Sequence, residues 1–353
     1  MNRILARRLE STSVYVLIGA ALGPCVGVLT GLLDGLPPLW PAVRGTVAGV
    51  IIGAAVGVGE EFLLPYASRR LGFGRLNLLR FGAYLAVMQA TLLVVNVARL
   101  MIEERATAVS AVLAYAGGGD FVRDLALTMV ASALIIGVLQ LKRLHHASEL
   151  WRLVTGRYHY PTEEDLVFLF VDLARSTAIA ETLGHVGFST LLRDVFADLS
   201  EPILSWRGRV YQHLGDGLIV TWTTEGLNNA APVRCFFDMV RQLETQRDHY
   251  EHRFGLAPTI RGAAHAGPVV TTWVGEAKKE LAFHGDTLNV TARMQAACKT
   301  LGVRLLVSEP VRAGVNGVAG LSVRSMGEIE LEGKEAAAPL YAIEPTLPLE
   351  TMC

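Results

Sequence analysis

Apolar residues are unevenly spread along this chain. Before residue 142 they form four long runs, Val14–Leu33, Ala42–Val58, Phe81–Ala98 and Leu125–Leu141. Each is about the length of helix needed to cross ~30 Å of hydrocarbon. No run carries a charge in its middle, and Arg44 stands near an end, where its side chain can reach the interface. The basic start resembles that of a secretory signal, but the first run exceeds a signal's short apolar core and three more follow. Four membrane spans are expected.

Beyond them the pattern changes twice. From Lys142 to about Tyr160 the chain is polar, with apolar residues at Leu144, Ala147, Trp151 and Val154. That 3-4-3 step predicts a helical connector with coiled-coil character. After Pro161 short β-type runs alternate with helical ones. Asp165–Asp172 reads as a buried strand, Thr177–Ser200 as a helix, and Arg209–Trp222 as two strands around a Gly-Asp-Gly turn. Pro232–Arg253 is helical, Thr259–His265 and Val269–Val274 are strand-like, and Gly285–Leu301 is helical. Arg304–Ser308 and Tyr341–Glu344 close the series as strands. The order β-α-β-β-α-β with additions predicts an α+β ferredoxin-like sheet with helices on one face. The expected organisation is a four-helix membrane domain (1–141), a connector (142–160), an α+β domain (161–345) and a tail (346–353).

Composition supports the membrane reading. The chain of 353 residues is 51% hydrophobic and 18% charged, against about 25% charged in an ordinary soluble domain. A net charge of −1 gives no reason to expect nucleic acid as a partner. Basic residues set the orientation. Arg3, Arg7 and Arg8 precede the first span, Arg69, Arg70, Arg75 and Arg80 lie between the second and third, and Lys142 and Arg143 follow the fourth. The other two loops hold Arg44, Arg99, Arg105 and Arg123 among acids. This alternation places both termini, and the α+β domain, on the cytoplasmic side of a cell (inner) membrane. Four scattered cysteines (Cys25, Cys235, Cys298, Cys353) show no metal-type spacing and read as reduced thiols.

Glycines recur every fourth residue in the first two spans, at Gly19, Gly23, Gly27 and Gly31 and at Gly45, Gly49, Gly53 and Gly57. Each set makes a smooth face for close backbone approach, either within the bundle or toward a second copy. Gln89 and Asn96 on the third span are expected to hydrogen-bond between helices, with a small ligand site as the alternative.

Three stretches carry chemistry. Phe170–Thr177 (FVDLARST) places Asp172 at the end of a buried strand, and the following helix start, at Ser176 and Thr177, can present N–H groups to phosphates. His213-Leu214-Gly215-Asp216-Gly217 places a second acid in a turn. Two acids at strand tips supply oxygen ligands of the kind Mg²⁺ or Mn²⁺ takes. In His284–Met294 (HGDTLNVTARM), Asn289 and Arg293 are four apart and share one helix face.

Together with Arg261–Pro268 (RGAAHAGP), these stretches resemble the class III nucleotide cyclases, the adenylate and guanylate cyclase family, over about Glu163–Pro345. The resemblance implies that Asp172 and Asp216, with the backbone of Leu173, hold two divalent cations per site. It further implies that Asn289 orients the ribose and that Arg293 stabilises charge developing on the α-phosphate. In the family the aspartates and the Asn–Arg pair come from different subunits. A chain with one set of motifs then forms a homodimer with two composite sites. The implied reaction is ATP to 3′,5′-cyclic AMP and pyrophosphate, with a guanylate cyclase or a nucleotide-binding but inactive receptor as alternatives.

The chain departs from the pattern at the base. Adenine-selecting members usually carry Lys four residues before the second metal Asp, where this chain has Gln212. They usually carry Asp seven residues before the Asn, where it has Ala282. The Glu and Cys of guanine-selecting members are absent too. Gln212 can donate and accept toward either purine, and Lys278 and Lys279 stand nearby in sequence. The family's late triphosphate lysine precedes a glycine; here Glu332 precedes Gly333 and Lys334 follows it, so Lys334 is the candidate. The signal that the membrane domain receives is not legible.

Overall fold

The computed structural model describes residues 3–33, 35–64, 73–103, 105–144, 158, 160–276, 279–329 and 337–346. The chain divides into two compact units, Met1–Leu150 and Trp151–Cys353. Most of the connector (145–157) lies outside the described residues.

The first unit is helical: α1 (Arg3–Leu33), α2 (Leu39–Val58, continued by a π-helical turn, Gly59–Leu63), α3 (Phe73–Glu103), α4 (Ala108–Gly117) and α5 (Gly119–Leu144). Four segments are long and apolar enough to cross a membrane: Leu5–Leu32, Leu39–Leu63, Gly74–Ile102 and Gly119–Gln140. A helix stands at each of the four expected spans, longer than its apolar run. The short helix α4 was not expected. Thr107 caps it by accepting from the Ser110 N–H, and Ala111 and Tyr115 are buried.

The two glycine faces are turned on each other. A Cβ at Gly19 would strike the Gly49 carbonyl, one at Gly23 the Gly45 carbonyl, and one at Gly49 the Gly19 carbonyl. This face is therefore filled within the chain, which removes it as a candidate dimer contact. Backbone has nowhere to move. Gly23→Leu is expected to destabilise the membrane unit by at least the 1–3 kcal/mol typical of an overfilled core. Gly82→Leu, on a helix of similar character where a Cβ meets nothing, should be neutral. Thermal aggregation of the two variants in detergent checks this, and equal midpoints would contradict it.

Gln89 and Asn96 do join helices. Gln89 Nε2 donates to Thr128 Oγ1 (2.6 Å), and Asn96 Nδ2 donates to Asp124 Oδ2 (3.1 Å), which also accepts from the Tyr115 hydroxyl (2.9 Å). Beyond the ends of the apolar runs the helices contain a buried charge pair: Arg80 Nε lies 3.1 Å from Glu60 Oε1, with both side chains almost wholly buried. The Tyr84 hydroxyl donates to the same carboxylate. The pair escaped notice because apolar character stops at Val58 and resumes at Phe81, whereas the helices continue past both points.

The second unit contains, in order, β1 (Thr162–Leu173), α6 (Ser176–Ser205), β2 (Arg209–Leu214), β3 (Gly217–Thr223), α7 (Ala231–Thr245), α8 (Arg247–Phe254), β4 (Ile260–Val274), β5 (Glu280–His284), α9 (Asp286–Leu301), β6 (Leu305–Ser308), α10 (Glu309–Val315), β7 (Leu321–Ile329) and β8 (Ala338–Pro345). The sheet among the described residues runs β2-β3-β1-β4-β6-β8-β7, with β5 paired to β4. Its first four strands have the ferredoxin-like order. β1 is central, and Val167, Phe168 and Leu169 are fully buried. Each such side chain contributes about 1.5–3 kcal/mol on burial.

Alternation along β1 separates two faces. Val167, Leu169, Val171 and Leu173 join a core with Leu191, Val195 and Leu199 of α6 and with Phe236 and Met239 of α7. Leu166 and Phe168 form a smaller cluster on the other face. There α9 also packs, its Val290, Met294 and Cys298 against Ala263, Leu306 and Ala342. The expectation of helices on one face is thus corrected for α9. Asp172, an even position, lies on the α9 side.

Three element readings also change. β4 is continuous where two strands were expected. Gly267-Pro268 reads as a turn, but Pro268 falls between the stretches of β4 that pair with β6 and with β5, where a missing N–H does least harm. The helix expected over Pro232–Arg253 breaks at Gln246. β5, β7 and α10 were not expected, β7 because most of its residues are exposed. Cys235 and Cys298 are buried free thiols, and burial raises the Cys298 thiol to about 12.

Candidate active site

Asp172 ends the buried run of β1, in register with Gly217 of β3 and Arg261 of β4. Asp216 occupies the turn between β2 and β3. Its carbonyl accepts from the Leu173 N–H (3.2 Å), which docks the turn onto the end of β1. Both flanking glycines have a physical reason. Gly215 adopts φ +59°, and a Cβ on Gly217 would stand 2.6 Å from the Val171 carbonyl oxygen. The turn can come this close only without side chains.

The two carboxyls therefore adjoin. Partial burial first, then the neighbouring Asp216 carboxyl, push the Asp172 carboxyl up to about 6. Gln295 and Arg261 act in the opposite direction. Gln295 Nε2 donates to Asp172 Oδ2 (2.7 Å), and Arg261 Nη2 lies 3.8 Å from the same oxygen.

Such a pair fits a divalent cation. A positive ion relieves the repulsion between the carboxylates, and carboxylate oxygens suit the hard ions Mg²⁺ and Mn²⁺. Among the described residues no group of three or more His, Cys, Asp or Glu side chains could hold a metal. Two carboxylates, with phosphate oxygens and water completing the shell, are a set that Mg²⁺ accepts. Mg²⁺ and Mn²⁺ take oxygen donors, so the carbonyl is the atom through which Leu173 would meet a cation.

Directly after β1, Arg175 takes a left-handed conformation (φ 59°) and starts α6 without a side-chain cap. The opening amides around Ser176 and Thr177 are thus left to an anion or water.

On α9, Asn289 is exposed and Arg293 partly so. Among the described residues neither side chain makes a hydrogen bond or ion pair. Positions 293 and 295 differ by about 200° around a helix. Gln295 turns to this chain's Asp172, so Asn289 and Arg293 are presented away from it. Sequence reasoning missed Gln295 and assigned no role to Arg261.

Gln212 is exposed on β2, just past a ladder irregularity between Val210 and Gln212 of the kind that re-aims side chains. Ala282 lies in mid-β5, opposite Thr272. The Tyr211 and Phe283 rings meet with centroids 4.7 Å apart, so the strands carrying Gln212 and Ala282 are brought together. Lys279 is exposed. Lys334, with Glu332 and Gly333, and Lys278 lie outside the described residues.

Comparison with known proteins identifies the family of the second unit. The family described as adenylate and guanylate cyclase catalytic domain matches residues 158–344. Adenylate cyclase 2 of Rhizobium meliloti (strain 1021) is 33% identical over 207 residues, covering 58% of this chain and 57% of that protein. Guanylate cyclase 2G of Mus musculus is 24% identical over 188 residues, covering 52% of this chain and 17% of that protein. Among solved structures, a bacterial light-regulated adenylyl cyclase superposes with a TM-score of 0.53 at 19% identity, covering 62% of this chain and 64% of the other; this likeness shows the fold. The second unit has a cyclase fold, its match spans more than half of the sequence, and the chain belongs to the adenylate and guanylate cyclase catalytic domain family.

Proposed function

We propose that this protein is a membrane-anchored adenylate cyclase, converting ATP to 3′,5′-cyclic AMP and pyrophosphate at two composite sites of a homodimer. The observation that carries the reading is the adjoining pair Asp172 and Asp216, which the β1–β3 register and two glycines force together. Metal bound there, Mg²⁺ or Mn²⁺ and two ions per site, supplies charge that lowers the pKa of the ribose 3′-OH and neutralises the triphosphate.

The chain's own residues do the rest. Asp172 and Asp216 would hold the cations, and the uncapped start of α6 at Ser176 and Thr177 receives phosphate oxygens. Asn289 of the second subunit fixes the ribose so that O3′ faces the α-phosphorus. The 3′-OH gives up its proton to solvent water, the O3′–P bond forms, and the bond from the α-phosphorus to the bridging oxygen breaks, releasing pyrophosphate. Arg293 of the second subunit donates to the α-phosphate oxygens as charge gathers on them. Lys334 is the candidate for the triphosphate. The direction in which α9 presents Asn289 and Arg293 supports the division between subunits.

The four apolar helices support anchoring in the cell membrane, and the basic residues between them support a cytoplasmic side for both termini and the catalytic unit. The membrane unit is assigned an unknown signal from the membrane or from outside the cell.

Gln212 and Ala282 leave a second reading open, a guanylate cyclase, because they match neither the adenine-selecting nor the guanine-selecting pair. Membranes containing the full chain, supplied with ATP or GTP in parallel and with Mn²⁺ or Mg²⁺, decide the matter. Cyclic AMP from ATP is expected. Cyclic GMP from GTP alone would replace the substrate, and no product from either would leave a nucleotide-binding receptor.

A further inference from the structure

Helix α9 touches the site twice, in two different ways. One side offers Asn289 and Arg293, the groups assigned above to the second subunit's nucleotide. The other side carries Gln295, whose amide donates to Asp172 Oδ2 at 2.7 Å within the same chain. Gln295 is half-buried on the flank of the buried stripe Thr287, Val290, Thr291, Met294 and Cys298 that fixes α9 against the sheet. Cys298 Sγ, less than a turn further along, donates to the Gly262 carbonyl at 3.2 Å, and Gly262 neighbours Arg261 on β4. The donor to Asp172 is thus mounted on a rigid element.

We propose that Gln295 is a positioning residue that sets the carboxylate plane of Asp172 for cation binding. The inference rests on the reading of Asp172 as a metal ligand. A carboxylate is planar, so holding Oδ2 fixes the direction in which Oδ1 and the remaining lone pairs point. Arg261 is 3.8 Å from the same oxygen, too far for a hydrogen bond. It supplies charge without direction. Gln295 supplies a directed bond from a neutral donor, beside the contact that Asp172 makes with the Asp216 carboxyl. An amide suits this task because it donates without adding a charge that would compete with the cation.

The test uses the full chain in detergent or membranes, with Mn²⁺ as probe. Free Mn²⁺ gives a sharp paramagnetic resonance signal that binding removes, so affinity is read without turnover. Gln295→Met keeps the length and removes the donor. It is expected to weaken Mn²⁺ binding about 10- to 100-fold, the usual effect of losing a group that orients a metal ligand. The Mn²⁺ concentration for half-maximal activity should rise in step. Unchanged Mn²⁺ binding in Gln295→Met, with binding lost in Asp172→Ala, would overturn the proposal alone. Unchanged binding in Asp172→Ala would instead overturn the metal reading beneath it.

A merely structural role is separated by mixing chains. Asp172→Ala chains paired with Asn289→Ala chains leave one working site, whose acids come from the Asn289→Ala chain. Gln295→Met added to the Asn289→Ala chain should raise the Mn²⁺ requirement, and added to the Asp172→Ala chain should leave it unchanged. Equal effects in both placements would mean that Gln295 supports α9 as a whole, and the positioning role would fall.

Discussion

Asp216→Ala is expected to abolish cyclic nucleotide formation while leaving the protein in the membrane at normal abundance. Asp216 lies in a turn held by backbone, through the Leu173 N–H to Asp216 carbonyl bond and the glycines on either side. Its side chain is therefore free of a folding duty that alanine would remove. What alanine does remove is one of two adjoining carboxylates, together with the charge that a cation there would neutralise. Metal-assisted charge stabilisation amounts to several kcal/mol, and each 1.36 kcal/mol is tenfold in rate, so the loss should be at least about a hundredfold. Product measured by mass spectrometry on membranes of matched protein content provides the check. Turnover within a few-fold of the unsubstituted chain would remove Asp216 from the site.

A mixture of two inactive chains should be active. Asp172→Ala lacks one acid but keeps Asn289 and Arg293, and Asn289→Ala lacks the ribose contact but keeps both acids. With random pairing, half of the dimers are mixed and each has one complete site, so about a quarter of full activity should return. Co-expression with two affinity tags, followed by purification through both, isolates the mixed species and should raise the recovered fraction to about half. The expectation stems from α9, which turns Gln295 inward to Asp172 and leaves Asn289 and Arg293 without partners among the described residues. If the doubly tagged species stays inactive beside an active unsubstituted dimer, each site is built within one chain.

Legibility in the sequence followed the length scale of each interaction. Asp172 could be read because an acid ending a run of Val and Phe is anomalous within a few residues, and Asp216 because glycines flank it. That the two acids meet depends on β1 pairing with β3 across the whole of α6, and spacing does not encode that contact. Only the resemblance to a family supplied it. Gln295 was missed for a different reason. A glutamine beside an apolar helical stripe looks like any solvated flank until the strand beneath it is known. The Glu60–Arg80 pair was missed, and Arg80 was read as a loop cation when it lies buried in α3, because hydropathy windows respond to side chains, whereas a helix ends where its backbone does. The extra strands β5 and β7 bury little, so they leave almost no alternating signal. Glycine periodicity, by contrast, correctly signalled close backbone contact but left two partners open; the structure selects α2 for α1.

That contact has a mechanical consequence. Where carbonyl oxygens of one helix rest against the Cα atoms of the next, no side-chain rotamer lies between them to absorb a displacement. Helices α1 and α2 then act as a single stiff lever. A force at the start of α1 moves the far end of α2 with it, and compliance in the membrane unit is left to α3, α4 and α5, whose contacts run through side chains able to change partners.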